Sequence, residues 1–260
     1  MNITLIQMNI QWADPVANQQ AAESALLSAE PSDIYVLPEM WSTGFATNPA
    51  GIAEDVASSS SLRWMQQMAQ QLDAAIVGSL AIHADETYRN RMYFVTPDTV
   101  TYYDKHHLFS YGNEHVHYTA GNDRVVVEWR SVRFLLQVCY DLRFPCFSRN
   151  HLDNRNTGGD GIMADYDCII YVASWPTSRL AVWNTLLKAR ALENQCYVLA
   201  VNRIGTDPAC SYSGGTQAVD AYGKVMAACP DNESACITVG LDTAKLSAFR
   251  RKFPVLMDAD

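Results

Sequence analysis

A cysteine at the end of an apolar run is the residue of this sequence best suited to covalent chemistry. Cys139 follows the run Val132–Val138, and the chain turns immediately afterwards through Tyr140–Pro145. Such a position suits a nucleophile, because a strand fixes its backbone while the turn exposes the sulfur and the next N–H to a pocket. A lone cysteine in a core strand is more often a small hydrophobic residue, so Cys139 needs partners.

Two other strand ends supply those partners. Glu39 follows the apolar run Ile34–Leu37 and Pro38, and Lys105 follows the extended segment Thr99–Tyr103 and Asp104. Taken alone, a charged residue after a strand is usually a solvated loop residue. In an open α/β architecture, however, strand ends converge on one crevice, so residues far apart in sequence become neighbours. The combination of carboxylate, lysine and thiol therefore favours a catalytic site.

The segments around these residues resemble the nitrilase, or carbon–nitrogen hydrolase, superfamily, whose catalytic set is a glutamate, a lysine and a cysteine. The resemblance spans nearly the whole chain. It is most similar to the omega-amidase branch, which hydrolyses the terminal amide of short 2-oxo dicarboxylic acid monoamides. The fold it implies is α/β, a nitrilase-like four-layer α-β-β-α sandwich. The matching segments are Leu37–Met40, Tyr103–Phe109, Asn113–Gly121, Val138–Pro145, Tyr171–Pro176 and Leu187–Gln195.

Amide cleavage requires a nucleophile, a group that carries protons and a partner for the oxyanion. We assign Cys139 as the nucleophile, Glu39 as the proton carrier, and Lys105 with the Tyr140 backbone N–H as the oxyanion partners. In the family a second glutamate holds the lysine and the reacting groups, which implies a supporting catalytic role for Glu114. This chemistry requires no metal and no organic cofactor.

A short acid substrate needs a cationic anchor, and Arg143 is the best candidate, because a guanidinium binds a carboxylate in a bidentate fork. The family counterpart in carbamoyl-amino-acid hydrolases contacts a substrate carboxylate. Pairing of Arg143 with Asp141 or Glu193 as part of the structure is an equally good interpretation. Four aromatic residues are further pocket candidates, although aromatic residues in such numbers are more often core. They are Trp41, Phe45, Tyr118 and Trp175.

The only histidine cluster raises the question of a metal site. It comprises His106, His107, His115 and His117. Their spacing lacks the helical His-x-x-x-His pattern of zinc hydrolases, so structural packing is preferred.

Three functions from different classes compete. The favoured one is an amidase that converts 2-oxoglutaramate or 2-oxosuccinamate into the diacid and ammonia through a thioester. The enzymatic alternative is another superfamily branch, a carbamoyl-amide hydrolase or a deaminated-glutathione amidase. The third is a non-catalytic binding scaffold, which the presence of all three catalytic residue types disfavours.

Composition excludes several other classes. The net charge of -9 and the lack of a basic run argue against nucleic-acid binding. Seven cysteines form no disulfide or zinc pattern, and the amino terminus resembles no signal peptide, so we expect a protein of the reducing cytoplasm. No segment approaches the roughly 20 apolar residues of a membrane span. We expect one domain over residues 1–260, assembled as a homodimer or a higher homo-oligomer.

Local patterns predict the elements that position these residues. Asp14 with Pro15 predicts a helix to about Ala29, and Ser61 a second helix start. We also expect a helix from Val182 to Gln195. The turn Tyr222–Lys224 predicts a hairpin. The polar, glycine-rich segment from Asn150 to Asp165 predicts a surface loop near the pocket rim.

Overall fold

The fold is built on two β-sheets that pack face to face. The computed structural model describes residues 1–153 and 163–258. The first sheet contains β1 (Asn2–Gln7), β2 (Ile34–Val36), β3 (Glu54–Asp55), β4 (Ala75–Ala84), β5 (Thr87–Val95), β6 (Val100–Asp104) and β17 (Ala235–Gly240). The second contains β7 (Val126–Trp129), β8 (Val132–Val138), β11 (Cys168–Ala173), β12 (Tyr197–Asn202), β15 (Gln217–Val219) and β16 (Val225–Ala228).

Each sheet has a parallel centre and antiparallel edges. In the first sheet the order is β17-β1-β2-β4-β5-β6, with β3 beside β4, and β1, β2 and β4 run parallel. In the second the order is β16-β15-β12-β11-β8-β7, with β8, β11 and β12 parallel. Parallel strands place their carboxyl ends at one edge of a sheet, which is where ligands bind in α/β folds. Two short antiparallel pairs, β9 (Leu152–Asp153) with β10 (Met163–Ala164) and β13 (Ile204–Thr206) with β14 (Ser211–Ser213), lie outside the sheets.

Helices cover the outer face of each sheet. They are α1 (Pro15–Ser28) and α2 (Ser60–Leu72) on the first sheet and α4 (Leu180–Glu193) on the second, whereas α5 (Thr243–Lys252) packs Leu246 into the core between the sheets and α3 (Glu114–His117) is a single turn. Alternate side chains of a strand point to opposite faces. Leu5 and Leu136 thus lie in the core between the sheets, Ile6 packs with the α1 and α2 side chains, and Leu135 packs with those of α4. These layers form the four-layer α-β-β-α sandwich, which confirms the predicted fold class.

The element boundaries follow the local signals with one clear exception. The Asp14 carboxylate accepts a hydrogen bond from the Ala17 N–H at 3.0 Å, and the helix begins at Pro15 as predicted. The prediction of a Ser61 cap is wrong, because Ser59 caps α2 and accepts from the Leu62 N–H at 3.0 Å.

The predicted α4 and hairpin are present with small shifts. The helix begins two residues earlier than predicted, at Leu180, and ends at Glu193. The predicted hairpin joins β15 and β16. The flanks of the predicted 150–165 loop pair with each other as β9 and β10. Residues 154–162 of that loop lie outside the described residues. Among residues 1–153 and 163–258, none of the helices combines the length and the apolar character that a membrane span requires.

Candidate active site

Four strands of the two sheets end at one place. From the first sheet, Glu39 follows β2 and Lys105 follows β6; from the second, Cys139 follows β8 and Ser174 follows β11. A hydrogen bond joins the residues from the two sheets directly, since the Ser174 backbone N–H donates to Glu39 Oε2 at 2.8 Å. The strand ends therefore assemble the predicted carboxylate, lysine and thiol into one site.

Cys139 sits on a strained turn. Its φ of 47° lies in the left-handed region, which few residues other than glycine occupy, and such residues cluster at functional sites. The turn is held by Asp141, whose carboxylate accepts from the Val138 N–H at 2.9 Å. Tyr140 lies in the first turn of the short 3-10 helix Cys139–Arg143, where N–H groups lack partners within the helix. Its N–H is thus suited to an oxyanion.

Asp141 also ties the cysteine turn to the lysine segment. It accepts from the Tyr103 hydroxyl at 2.8 Å and from the His107 N–H and Nδ1, each at 2.9 Å. Tyr103 and His107 flank Lys105 in sequence. One buried carboxylate therefore fixes the segments that carry Lys105 and Cys139.

The Lys105 ammonium lies between two carboxylates. Its Nζ atom is 3.0 Å from Glu39 Oε1 and 2.9 Å from Glu114 Oε2, and all three side chains are fully buried. Glu114 is further fixed by the Phe109 N–H, which donates to Oε2 at 2.6 Å. This geometry matches the lysine-holding role that the resemblance implies for Glu114.

Two further residues in the site escaped the sequence reasoning. The Asn90 amide Nδ2 donates to Glu39 Oε1 at 2.8 Å and to Glu114 Oε1 at 3.0 Å, so it bridges both carboxylates. Ser79 donates to Asn90 Oδ1 at 2.9 Å and fixes the orientation of the amide. Ser79 is a polar residue within the mainly apolar strand β4, but Asn90 stands between Arg89 and Arg91 in β5, where its sequence context does not single it out.

The electrostatics of the cluster follow from burial. Burial acts to lower the pKa of Lys105, but Glu114 and Glu39 outweigh it and hold the pKa above the ordinary lysine value. Burial raises the pKa of Glu114, against the influence of Lys105. Burial also raises the pKa of the Cys139 thiol well above its ordinary value, and the Glu39 charge adds to that rise. The resting site thus holds a cationic lysine and a neutral thiol, so attack by sulfur requires a group that takes its proton.

A pocket opens in front of Cys139. Its wall includes two of the four predicted aromatic residues, Phe45 and Trp175, and the predicted anchor Arg143. The remaining lining residues are Phe109, Tyr140, Ser174, Pro176, Arg179, Cys210 and Tyr212. The contribution of Arg179 was not foreseen, although it follows the strand end at Ser174 by only five residues.

The other two aromatic residues are not on this pocket wall, which corrects their prediction. Trp41 is fully buried in the core outside the first sheet, with its ring centroid 4.9 Å from that of Trp64. Tyr118 is buried beside Met40, and its hydroxyl donates to the Ala46 carbonyl at 2.7 Å. Both side chains pack on the side of the Glu39 loop that faces away from the pocket.

The structural alternative for Arg143 is not supported by the described contacts. Asp141 is occupied by the partners given above, and Glu193 pairs with Arg190 at 2.9 Å. The Arg143 guanidinium instead lies over the Trp175 ring, 5.1 Å from its centroid. It is therefore available to a substrate.

The histidines pack or face solvent. The ring of His106 stacks on Phe147 and that of His107 on Phe144, with centroid separations of 4.2 and 3.9 Å. His115 and His117 are exposed. Across residues 1–153 and 163–258, no three His, Cys, Asp or Glu side chains are grouped so that they could hold a metal ion.

Comparisons with known proteins give the family. A carbon-nitrogen hydrolase family model matches residues 2–251. The chain is 42% identical to the Omega-amidase YafV of Escherichia coli K12, and the alignment covers 100% of this chain and 97% of that protein. It is 30% identical to the 2-oxoglutaramate amidase of Bacillus subtilis, and that alignment covers 98% of this chain and 96% of that protein.

Solved structures agree. XC1258 of Xanthomonas campestris, a CN-hydrolase superfamily protein crystallised with an arsenic adduct in its active site, is 38% identical with a TM-score of 0.94 and coverage of 100% and 97%. Nit3 of Saccharomyces cerevisiae, at 22% identity and a TM-score of 0.83 over 98% and 94% of the two chains, shares the fold. The protein belongs to the carbon-nitrogen hydrolase family.

Proposed function

We propose that this protein is a cysteine-dependent omega-amidase. It hydrolyses the terminal amide of short 2-oxo dicarboxylic acid monoamides, 2-oxoglutaramate and 2-oxosuccinamate, to the diacid and ammonia. The observation that carries the proposal is the fully buried Glu39–Lys105–Glu114 cluster at the Cys139 turn. The likeness over the full chain to proteins named omega-amidase and 2-oxoglutaramate amidase supports the choice of substrate.

The reaction begins with the neutral thiol. Glu39 takes the Cys139 proton as sulfur attacks the amide carbon, and the carbonyl π pair moves to oxygen. Lys105 and the Tyr140 N–H stabilise the resulting oxyanion, since donors aimed at developing charge in a buried site act strongly. The oxyanion then collapses, the carbon–nitrogen bond breaks, and the proton held by Glu39 passes to nitrogen. Ammonia leaves and a Cys139 thioester remains.

Water completes the cycle. Glu39, again unprotonated, takes a proton from water as the water oxygen attacks the thioester carbon. The second tetrahedral intermediate expels the sulfur, which recovers its proton from Glu39, and the carboxylic acid departs. Lys105 stays protonated throughout, because its two carboxylate neighbours raise its pKa. Glu114 and Asn90 position Lys105 and Glu39.

Arg143 is the proposed anchor of the substrate carboxylate. Its position on the pocket wall beside Cys139 and its lack of a described acidic partner support this role. Arg143→Leu should lower kcat/KM for 2-oxoglutaramate far more than for a neutral amide of similar length. A uniform loss on both amides with a lower melting temperature would make Arg143 structural.

A panel of amides tests the function. Ammonia release should be fastest with 2-oxoglutaramate or 2-oxosuccinamate. Faster release from a carbamoyl amino acid or from deaminated glutathione would instead favour those superfamily branches. If the folded protein releases no ammonia from any of these amides, a binding scaffold is favoured.

We also propose that the protein works in the cytoplasm as a homo-oligomer. All seven cysteines are free, as a reducing compartment would keep them. Apolar side chains near the carboxyl terminus are exposed, with Phe253 at 59% and Met257 at 49%, and such groups mark interaction surfaces when they cluster. Cell fractionation and analytical ultracentrifugation test the two proposals.

A further inference from the structure

Two guanidinium groups face the pocket in front of Cys139. Besides Arg143, the pocket wall carries Arg179, whose guanidinium carbon lies 5.4 Å from the centroid of the Phe109 ring. Among the described residues that line this pocket there is no aspartate or glutamate. Both arginines are half-buried. The wall of the pocket is therefore strongly cationic.

Neither guanidinium is neutralised within the described parts of the chain. The guanidinium groups of other arginines with little exposure are hydrogen-bonded within the protein: Arg91 lies 2.6 Å from Asp104, Arg250 lies 3.0 Å from Asp167, and Arg203 donates to the Ile10 carbonyl at 2.9 Å. A partly desolvated charge without a counter-ion is costly, and an arriving anion relieves that cost. The two free arginines thus distinguish this pocket from the arginine sites that only stabilise the fold.

One acid of the adjoining groove, Asp207, already accepts hydrogen bonds from the protein. Asp207 lines the adjoining groove together with Arg179, but its Oδ2 accepts from the Tyr212 hydroxyl at 2.6 Å. Its Oδ1 accepts from the backbone N–H groups of Ala209 and Cys210 at 2.8 and 2.7 Å. Three donors of the protein thus already hold this carboxylate, which makes it a poor partner for a substrate ammonium.

The backbone of Arg179 is held firmly. The Trp175 indole N–H donates to the Arg179 carbonyl at 2.9 Å, while the Trp175 ring also lies beneath the Arg143 guanidinium. The Trp175 N–H donates to Asn202 Oδ1 at 2.7 Å, and Thr177 donates to the Ser211 carbonyl at 3.1 Å. One tryptophan thus contacts both arginine residues, and the pair forms a pre-organised site.

We propose that Arg179, together with Arg143, makes the enzyme select 2-oxo acid amides over 2-amino acid amides. The inference rests on the proposed function and adds the residue that sets its substrate class. A 2-oxo acid presents a carboxylate and a carbonyl oxygen, both of which accept hydrogen bonds from guanidinium groups. The 2-amino counterpart, glutamine, presents an ammonium that two arginines repel and no described acid in the pocket receives. Compared with the 2-oxo acid amide, glutamine therefore has one hydrogen-bond acceptor fewer, and its ammonium is repelled by the two arginines.

The test compares three amides in matched variants. The substrates are 2-oxoglutaramate, L-glutamine and the neutral pentanamide. Arg179→Leu should reduce the 2-oxoglutaramate to glutamine ratio of kcat/KM by about 30-fold or more, as expected for loss of one partner of a desolvated charged contact. Arg179→Lys, which keeps the charge, should retain most of the ratio. Arg63→Leu removes the same charge from an exposed site on α2 and should leave the ratio unchanged.

A binding readout separates selection from catalysis. In Cys139→Ala protein, calorimetry should show that 2-oxoglutarate binds more tightly than L-glutamate, and adding Arg179→Leu should remove most of that difference. An unchanged ratio in folded Arg179→Leu, or equal loss on all three amides, overturns the role of Arg179. If Arg179→Leu does not fold, Arg179→Gln takes its place under the same criteria. Wild-type enzyme that cleaves pentanamide or glutamine but not 2-oxoglutaramate overturns the proposed function itself.

Discussion

Replacing Lys105 with methionine tests the central feature of the site. The substitution keeps the length of the side chain but removes the ammonium that lies 3.0 and 2.9 Å from two fully buried carboxylates. Removing one partner of a buried ion pair costs about 3–5 kcal/mol, because the remaining charge is left uncompensated. For a domain of this size that corresponds to a fall of roughly 10 °C in melting temperature. Loss of an oxyanion partner should also lower kcat by about 10²–10³-fold.

The stability deficit should depend on pH in a definite direction. Burial already raises the pKa of Glu114, and Lys105 opposes that rise, so the pKa must climb further in the variant. A carboxyl group whose folded pKa is raised contributes stability that is fully present below its unfolded pKa and is lost as the pH rises through the folded pKa. The melting temperature of Lys105→Met should therefore approach that of the wild type in acid and fall behind it as the pH increases.

Thermal melts from about pH 4, below the ordinary glutamate pKa, to about pH 8 and steady-state kinetics measure these effects. The matched control is Lys105→Met with Glu114→Gln, which removes one carboxylate with the cation and should recover much of the stability but none of the turnover. Lys105→Arg should not restore turnover, since a broader guanidinium does not fit the place of an ammonium. A deficit that is equal at every pH, or losses that are equal in KM and kcat, would refute the reasoning and make Lys105 structural.

Three further outcomes follow from the geometry. Cys139→Ala should abolish ammonia release with little change in melting temperature, and mass spectrometry of substrate-trapped wild type should find the thioester on Cys139; an adduct on another cysteine contradicts the assignment. Because burial raises the pKa of the Cys139 thiol, iodoacetamide should alkylate it more slowly at pH 8 than it alkylates the exposed cysteines, and faster labelling would contradict a neutral thiol. Asp141→Asn places an amide opposite the Tyr103 and Val138 donors, so kcat should fall more than KM rises; unchanged kcat would deny Asp141 a positioning role.

Local chemistry made part of the structure predictable. Asp14 and Pro15 specify a helix start within three residues, and that helix begins where they indicate. The start of α2 was misplaced because several serines in a row are equivalent caps in sequence. In the structure Glu54, from a separate strand, accepts from the Ser59 hydroxyl at 2.7 Å and from the Ser61 N–H at 3.0 Å. A tertiary contact of this kind decides between equivalent local signals.

The residues of the site likewise fall into some that the sequence could predict and others that it could not. Glu39, Lys105 and Cys139 could be placed together because strand ends converge, a rule that needs only the positions of strands. The direction in which a loop side chain turns depends on which cavity remains to be filled. Trp41 fills the core behind the Glu39 loop, whereas Phe45, four residues later, faces the pocket. Asn90 lies in the polar first half of β5 between two arginines, and no local pattern marks an amide that bridges two carboxylates.

The polar contacts of the site also fix how the two sheets meet. The core between the sheets is apolar and apolar burial is non-directional, so directional contacts add to what close packing specifies about the relative placement of the sheets. Catalysis requires placement to about 0.5 Å. Directional bonds supply it: the Ser174 N–H reaches Glu39 Oε2 at 2.8 Å, and the Tyr103 hydroxyl reaches Asp141 at 2.8 Å, each from one sheet to the other. Weakening these contacts should therefore reduce turnover before it reduces stability, because the apolar core still holds the sheets together after their register at the site is lost.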